Sequence, residues 1–419
     1  MLSARAAKTS TAGPGGPVGD GLALSVLVGV ALVVLVVADD AWRPGHTLTG
    51  WLPPSPLLVP VWGPVLGIVA LGGVVLAVWL SWTMRRRAGW VLAAGAAAVL
   101  NVVALAAIAV PVGDVAITTV RAGGAIDPLR AIGLPHRVPR PPEQRPVFTT
   151  TTDGAPLHLS IWRPTTGAPA IAHDAPVLVW VHGGGWVGGS DLGPAAALTR
   201  WADRGWLVVS VEYGLDAPGR PTWDRAGPEV ACALSRVATD APSLGGDPTR
   251  IVLGGDSAGG QLAVSVAYHA ASDTQASSCG GPVPTPRAVA VEYPAVDLVD
   301  GWTFGARSPV PQFDARWLAT TYAGGSPTEV PDHYRSISGT AALTSQAPPT
   351  LVVAAGRDSL VPLPGLQRFV AAAHATGVDA TLVTIPFADH AFDVVDGSLG
   401  AQAASSVLQH WAATRVGAP

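Results

Sequence analysis

The chain has 419 residues, 49% of them hydrophobic and only 13% charged, with a formal net charge of −4. That is too apolar for an ordinary soluble domain, and the excess sits at the N-terminal end. Nine basic and five acidic side chains precede residue 139, while sixteen and twenty-four follow it. The larger, acidic part gathers no basic patch, which excludes nucleic acid as an expected partner.

Three apolar runs open the chain, at residues 22–38, 57–82 and 90–112. A membrane-crossing helix needs roughly 20 apolar residues, so the second and third read as spans. The first reads as a retained span. Its alternative is a cleaved secretory signal, with Arg5 and Lys8 as the positive region and Val36-Val37-Ala38 as the cleavage site. Arg5 and Lys8 precede the first run, and Arg85, Arg86 and Arg87 lie between the second and third. Asp39, Asp40 and a single Arg43 follow the first. The positive-inside rule therefore puts the N-terminus and the triple-arginine loop in the cytoplasm and the rest of the chain outside. Asn101 is the one strongly polar side chain in the three runs, so an anchor is expected rather than an ion path. One lysine against 24 arginines reads as GC-rich bacterial coding, which makes the expected location a bacterial plasma membrane. The expected organisation is a cytoplasmic tail (1–20), an all-α transmembrane anchor of three helices (21–112), a linker (113–145) and a catalytic domain (146–419). Pro135, Pro139, Pro141 and Pro142 mark the end of the linker as extended.

Residues 147–152 and 157–162 alternate and flank Asp153-Gly154, which predicts a hairpin. Strands at 177–181, 206–212, 250–254 and 288–293 then alternate with helices near 194–204, 227–240 and 258–271. That order predicts a mostly parallel sheet flanked by helices. The first parallel strand ends in His182-Gly183-Gly184-Gly185-Trp186, and the third in Gly255-Asp256-Ser257-Ala258-Gly259-Gly260. A serine between glycines at a strand-to-helix turn is a nucleophile elbow, and a glycine run supplies unhindered N–H groups for an oxyanion. An acid and a histidine should follow in that order. Asp358 ends a strand 101 residues after Ser257, and His390 ends another 32 residues later. Asp389, Asp393 and Asp396 are rival acids but lie too near His390 in sequence, and the rival histidines, His374 and His410, fall in predicted helices. Between 297 and 347 no period appears and six aromatics are scattered, so 298–347 is the expected lid, the alternative being a surface excursion whose aromatics only pack on the body.

From about Arg145 onward the chain resembles an α/β-hydrolase fold esterase of the hormone-sensitive-lipase-like group. The residues that carry the resemblance are HGGGW at 182–186, GDSAGG at 255–260, Asp358-x-Leu-Val, His390-x-Phe and Gly246-Asp247-Pro248-Thr249-Arg250. It departs at Tyr213-Gly214-Leu215, where the group usually has Tyr-Arg-Leu. The expected roles are Ser257 as nucleophile, His390 as general base and Asp358 as the acid that orients it. The oxyanion hole is expected from Ala258, Gly183 and Gly184, with Gly185 as the alternative to Gly183. His182 is expected to brace the loop, and the resemblance gives Asp256 a local structural role.

The expected activity is that of a serine carboxylesterase acting at the outer membrane face on short acyl esters, acetyl among them. Location alone suggests a lipid, glycolipid or acylated wall polymer as substrate. The alternatives are an amide-type hydrolase of the same fold (formamidase or peptidase) and a non-catalytic binding module. No cofactor and no metal are expected. Cys232 and Cys279 are the only cysteines, and outside the cytoplasm they are expected to pair across 47 residues.

Overall fold

The computed structural model describes residues 17–42, 58–133, 138–165 and 174–418. Arg5, Lys8, Arg43 and Pro135, used above, lie outside the described residues. The chain divides into two compact units, Met1–Ser55 with Trp62–Val112, and Pro56–Val61 with Gly113–Pro419.

The first unit is built from three helices, α1 (Pro17–Trp42), most of α2 (Leu58–Thr83) and the larger part of α3 (Ala88–Arg121). All three are long and apolar enough to cross a membrane. At 1.5 Å per residue even the shorter ones reach about 39 Å, more than the roughly 30 Å hydrocarbon core. Apolar side chains such as Val33, Val75 and Leu92 point outward over more than half their surface, as lipid-facing residues do. Asn101 is turned inward. Its Nδ2 donates to Ala97 O (2.9 Å) and to Leu27 O of α1 (3.3 Å). Gly73 of α2 leaves room for it, because a Cβ there would overlap the Asn101 amide. The third helix runs past the apolar stretch to Arg121 and carries Pro111 inside it, so the expected linker begins later than residue 113.

The second unit begins with the short helix α4 (Pro128–Ala131) and the antiparallel pair β1 (Val147–Thr150) and β2 (Pro156–Trp162). Then come β3 (Ala175–Val181), α5 (Ala195–Ala202), β4 (Leu207–Val211), α6 (Ala226–Leu244), β5 (Gly246–Asp256), α7 (Ser257–Ala271) and β6 (Ala288–Glu292). The segment expected to be a lid holds α8 (Leu298–Phe304), a 3-10 turn at Pro311–Phe313, α9 (Ala315–Ala323) and α10 (Pro331–Ile337). The chain ends with β7 (Thr350–Ala355), α11 (Leu363–Ala375), β8 (Ala380–Ile385) and α12 (Leu399–Val416). The eight strands form one sheet in the order β1-β2-β4-β3-β5-β6-β7-β8, parallel from β4 onward.

Alternation along the central strands divides the core. Val177, Val179 and Val181 of β3 join Leu262, Val266, Leu366 and Phe369 in the larger apolar cluster, which takes in α6, α7 and α11. Leu178 and Trp180 point to the opposite face and are equally buried. A strand covered on both faces must be apolar at every position, and all seven residues of β3 are buried. Cys232 of α6 and Cys279 are joined in a disulfide, with Cα atoms 5.3 Å apart. A bridge closing a loop of this size stabilises by roughly 2–4 kcal/mol.

Residues 138–145, the end of the expected linker, are tied to the sheet. The Arg140 carbonyl accepts from Trp162 Nε1 (2.8 Å). Arg145 grips Asp191 with Nε (2.8 Å) and Nη2 (2.9 Å) and reaches Glu212 (2.7 Å). Asp191 is fully buried and also accepts from Ser160 (2.6 Å). Burial would raise its pKa, but the Arg145 fork and the hydroxyl hold it below the usual carboxylate range. This ion pair fixes the segment that follows the glycine loop.

Candidate active site

Register alone brings the two glycine motifs together. Strands β3 and β5 are parallel neighbours with Val181 opposite Gly255, so the HGGG loop and the elbow leave the sheet side by side. Strands β7 and β8 repeat the arrangement with Ala355 opposite Ile385, so the loops bearing Asp358 and His390 also leave together.

At the elbow Ser257 has φ +50°, a left-handed conformation that costs about 1–2 kcal/mol for a residue with a side chain. Its neighbours tolerate no side chain. A Cβ on Gly255 would come within 2.6 Å of the carbonyl oxygens of Val181 and Gly259, and one on Gly259 would overlap Val181 and His182. The serine opens α7, where unpaired backbone N–H groups and the positive helix end lie.

Ser257 Oγ lies 2.8 Å from His390 Nε2. His390 Nδ1 lies 2.9 and 3.1 Å from the two oxygens of Asp358. The Asp358 side chain is fully buried, and its Oδ1 accepts from the N–H groups of Leu360 (2.9 Å) and Val361 (2.7 Å). These contacts leave the carboxylate with one orientation, facing the imidazole. Burial works to lower the His390 pKa, but the charge and hydrogen bond of Asp358, with Asp389 and Asp256 behind them, outweigh it and raise it above 6.5.

The rival residues do other work. Asp389 accepts from the N–H groups of Ser359 (2.6 Å) and His390 (2.7 Å), which ties the loops bearing Asp358 and His390 to each other. Asp393 takes the hydroxyl of Tyr293, and Asp396 pairs with Arg200. His374 Nε2 bonds the Ala380 carbonyl.

The glycine loop is held from behind. His182 Nδ1 bonds the Gly183 carbonyl (2.8 Å), its own carbonyl accepts from Tyr213 OH (3.0 Å), and the two rings stack at 4.5 Å. Burial pushes the His182 imidazole below its usual value, so it stays neutral. The Asp256 carboxylate lies against Gly183, where a Cβ would overlap it. Burial and the Asp393 charge push Asp256 up to about 7, although Gly183 and Trp180 Nε1 (3.2 Å) pull it down. Gly184 (φ +123°) and Gly185 (φ +61°) then turn the loop toward the pocket. A Cβ on Gly184 would overlap the Gly188 carbonyl. Trp186 anchors the far end, with Nε1 on Gln261 (3.1 Å) and its ring stacked on Tyr322 at 4.4 Å.

The sequence reading missed several of these partners. Gly214, where the resemblance expects arginine, gives its N–H to Glu229 (2.6 Å), and a Cβ there would crowd both Glu229 oxygens. Tyr293 has φ +33° and lies edge-on to His390. The only signal for it was a Tyr-Pro pair ending a strand.

Ser257 and His390 open into an apolar cavity of about 50 Å³, walled by Gly185 and Trp186 on one side and by Leu298, Gly301, Leu318 and Ala319 of α8 and α9 on the other. The segment expected as a lid thus forms one wall of the site. Behind the triad lies a second, larger space of about 240 Å³, bordered by Asp256, Glu292, Tyr293 and Asp393. There burial, reinforced by the Asp393 charge, drives the Glu292 carboxyl well above its usual range.

Residues 178–394, just over half of the chain, match a family described as alpha/beta hydrolase fold. Esterase LipC of Mycobacterium tuberculosis is 31% identical over 54% of this chain and 55% of its own length. Esterase LipQ of the same organism is 28% identical, over 68% of each chain. Carboxylesterase NlhH, also from Mycobacterium tuberculosis, is 40% identical over 24% of this chain and 32% of its own. The chain thus spans about half the length of the first of these relatives and about a third of the last. Among solved structures, propionate-bound esterase 2 of Thermogutta terrifontis gives a TM-score of 0.47 at 23% identity, over 60% of this chain and 85% of that one. With its elbow, glycine loop and parallel sheet inside the matched residues, the chain belongs to the alpha/beta hydrolase fold family.

Proposed function

We propose that this protein is a serine carboxylesterase that hydrolyses short-chain acyl esters at the outer face of a bacterial plasma membrane. The observation that carries the reading is the hydrogen-bonded series Ser257–His390–Asp358 opening into an apolar cavity. Ser257 Oγ attacks the ester carbonyl while His390 Nε2 takes its proton, and Asp358 stabilises the resulting imidazolium. The N–H groups of Ala258, Gly183 and Gly184, or of Gly185 in place of Gly183, receive the oxyanion. His390 then protonates the departing alcohol, and water releases the acyl group by the same steps in reverse. A cavity of about 50 Å³ holds roughly four waters, which suits an acetyl or propionyl group.

The mycobacterial relatives named esterases favour an ester over an amide bond. HGGGW and GDSAGG favour the hormone-sensitive-lipase-like group. Three helices of spanning length favour a membrane location, and Arg85, Arg86 and Arg87 between α2 and α3 favour a cytoplasmic position for that turn. The residues after α3 are then outside, where a disulfide persists. Lipid, glycolipid and acylated wall polymers are the esters within reach there.

The test uses the full chain in detergent with p-nitrophenyl acetate, butyrate and octanoate, and with p-nitroacetanilide. The expected order is acetate first and octanoate last, with Ser257→Ala lowering turnover by roughly 10⁴ or more. Anilide cleavage exceeding ester cleavage would overturn the ester assignment, and an active Ser257→Ala variant would overturn the nucleophile.

A further inference from the structure

Exposed large apolar side chains are unevenly distributed over the α/β unit. From Leu129 onward eleven are exposed, and eight lie in segments that leave the carboxyl ends of sheet strands, the end where Ser257 opens. Four of the eight, Val299 (41%), Phe304 (69%), Val310 (46%) and Phe313 (61%), fall within the single stretch α8 to the 3-10 turn. Val394 and Val395 follow His390. The chain has six phenylalanines, and two of them stand in water on this one segment. A scattered exposed leucine is ordinary; two exposed phenylalanines flanked by valines, on a segment whose other residues line an apolar cavity, mark a binding surface. Trp302 of the stretch is half-buried against the core, with Arg316 of α9 stacked over it at 4.1 Å. Asp300 within it pairs with Arg368 (2.6 Å), and Asp314 just beyond it with Arg307 (3.1 Å).

The same chain carries three helices long enough to cross a membrane, so a lipid surface is its own environment. We propose that the stretch from Val299 to Phe313 seats on that lipid surface, with Phe304 and Phe313 in the headgroup region, so that the cavity is filled from the bilayer. Helices α8 and α9 link the two features, since Leu298, Ala315 and Leu318 line the cavity while Phe304 and Phe313 point away from it. An ester of a short acid and a lipid-soluble alcohol then passes from lipid to Ser257 without crossing water. The nature of this substrate rests on the esterase reading; the lipid contact does not.

The two cysteines are bonded to each other, so a cysteine introduced into the full chain is the only free thiol. Phe304→Cys, Phe313→Cys and, as a control at the amino end of the sheet, Ser243→Cys are each labelled with an environment-sensitive fluorophore. They are placed singly in phosphatidylcholine nanodiscs with and without doxyl-labelled lipid. The proposal expects quenching at 304 and 313 and none at 243. Equal quenching at all three sites, or none at 304 and 313, would overturn it. Quenching found only in discs that hold two copies would assign the surface to a second copy of this chain and overturn the lipid assignment. A Phe304→Glu/Phe313→Glu variant supplies the second readout. It should keep wild-type turnover of p-nitrophenyl acetate and lose roughly tenfold or more on an acetyl ester of a long-chain alcohol dissolved in the disc, because two apolar anchors are gone. Equal turnover of the dissolved ester by variant and wild type would overturn the proposal. If the wild type hydrolyses neither ester, the esterase reading fails while the quenching still decides the lipid contact.

Discussion

The ring of Tyr293 stands edge-on to the imidazole of His390, with centroids 4.7 Å apart, while its hydroxyl donates to Asp393, three residues beyond that histidine. Tyr293 thus touches His390, the proposed base, and also holds the loop that carries it. The backbone accepts a φ of +33° to place the ring there. Strain of this kind persists where the surroundings demand it. Tyr293→Phe should therefore keep the ring contact, release the loop and lower kcat by about tenfold, the worth of one charge-assisted hydrogen bond. KM and thermal midpoint should change little. A rise in KM at constant kcat would assign Tyr293 to substrate binding instead.

The pH profile follows from His390. As the proposed general base it must be neutral, and its pKa is raised above 6.5 by Asp358 against the opposing effect of burial. The acid limb of kcat/KM should therefore lie on the alkaline side of an ordinary imidazole, with activity growing as the proton leaves. Asp358→Asn removes the main raising influence and leaves burial to act, so the limb should move to lower pH while the rate falls by roughly 10⁴. A limb that stays in place would mean that Asp358 does not set the charge state of His390.

The glycine loop gives a graded test. Gly184 combines φ +123° with a Cβ position that overlaps the Gly188 carbonyl, and a backbone atom cannot yield. At Gly185 a Cβ would meet the Leu318 side chain at 2.6 Å, and that chain can rotate. Gly184→Ala should displace an oxyanion donor and lower kcat by about 10²–10³, whereas Gly185→Ala should cost far less. Circular dichroism checks that both variants are folded. Equal losses would remove the distinction between rigid and yielding neighbours.

Much of the site was legible in the sequence because each triad member ends a strand, and strand pairing does the rest. Val181 opposite Gly255 and Ala355 opposite Ile385 bring four distant motifs to one edge without further information. The lid was illegible for a complementary reason. Its helices have seven, nine and seven residues, too few turns to establish an apolar period. The partners of the glycine loop and of Gly214 were hidden because they arise from contacts between separate segments, such as His182 with Tyr213, Trp186 with Gln261 and Gly214 with Glu229. No local pattern encodes a hydrogen bond of that kind. The end of α3 was misplaced because its last turns are less apolar than the rest, and hydropathy does not report helix that continues beyond an apolar run.

Asp216 supplies a prediction about stability rather than rate. Neither of its carboxylate oxygens has a hydrogen-bond partner among the described residues, and the hydroxyl of Tyr322, which feels its charge, is likewise buried without one. Burial raises its pKa from 3.8 to about 7. An acid raised in this way is protonated in the folded protein at pH values where the unfolded chain has already lost the proton. Folding then takes up a proton between the two values, so stability falls as pH rises from 3.8 toward about 7 and levels off beyond it. Asp216→Asn removes this titration and keeps the shape. Buried Asp256 also has its pKa raised to about 7 and contributes a slope of the same sign, so the informative quantity is the difference between variant and wild type at each pH. Thermal midpoints should agree near pH 4 and diverge as pH rises, with the variant several degrees more stable at pH 8. Parallel curves from pH 4 to 8 would mean that Asp216 is solvated, and its burial would then have no energetic consequence.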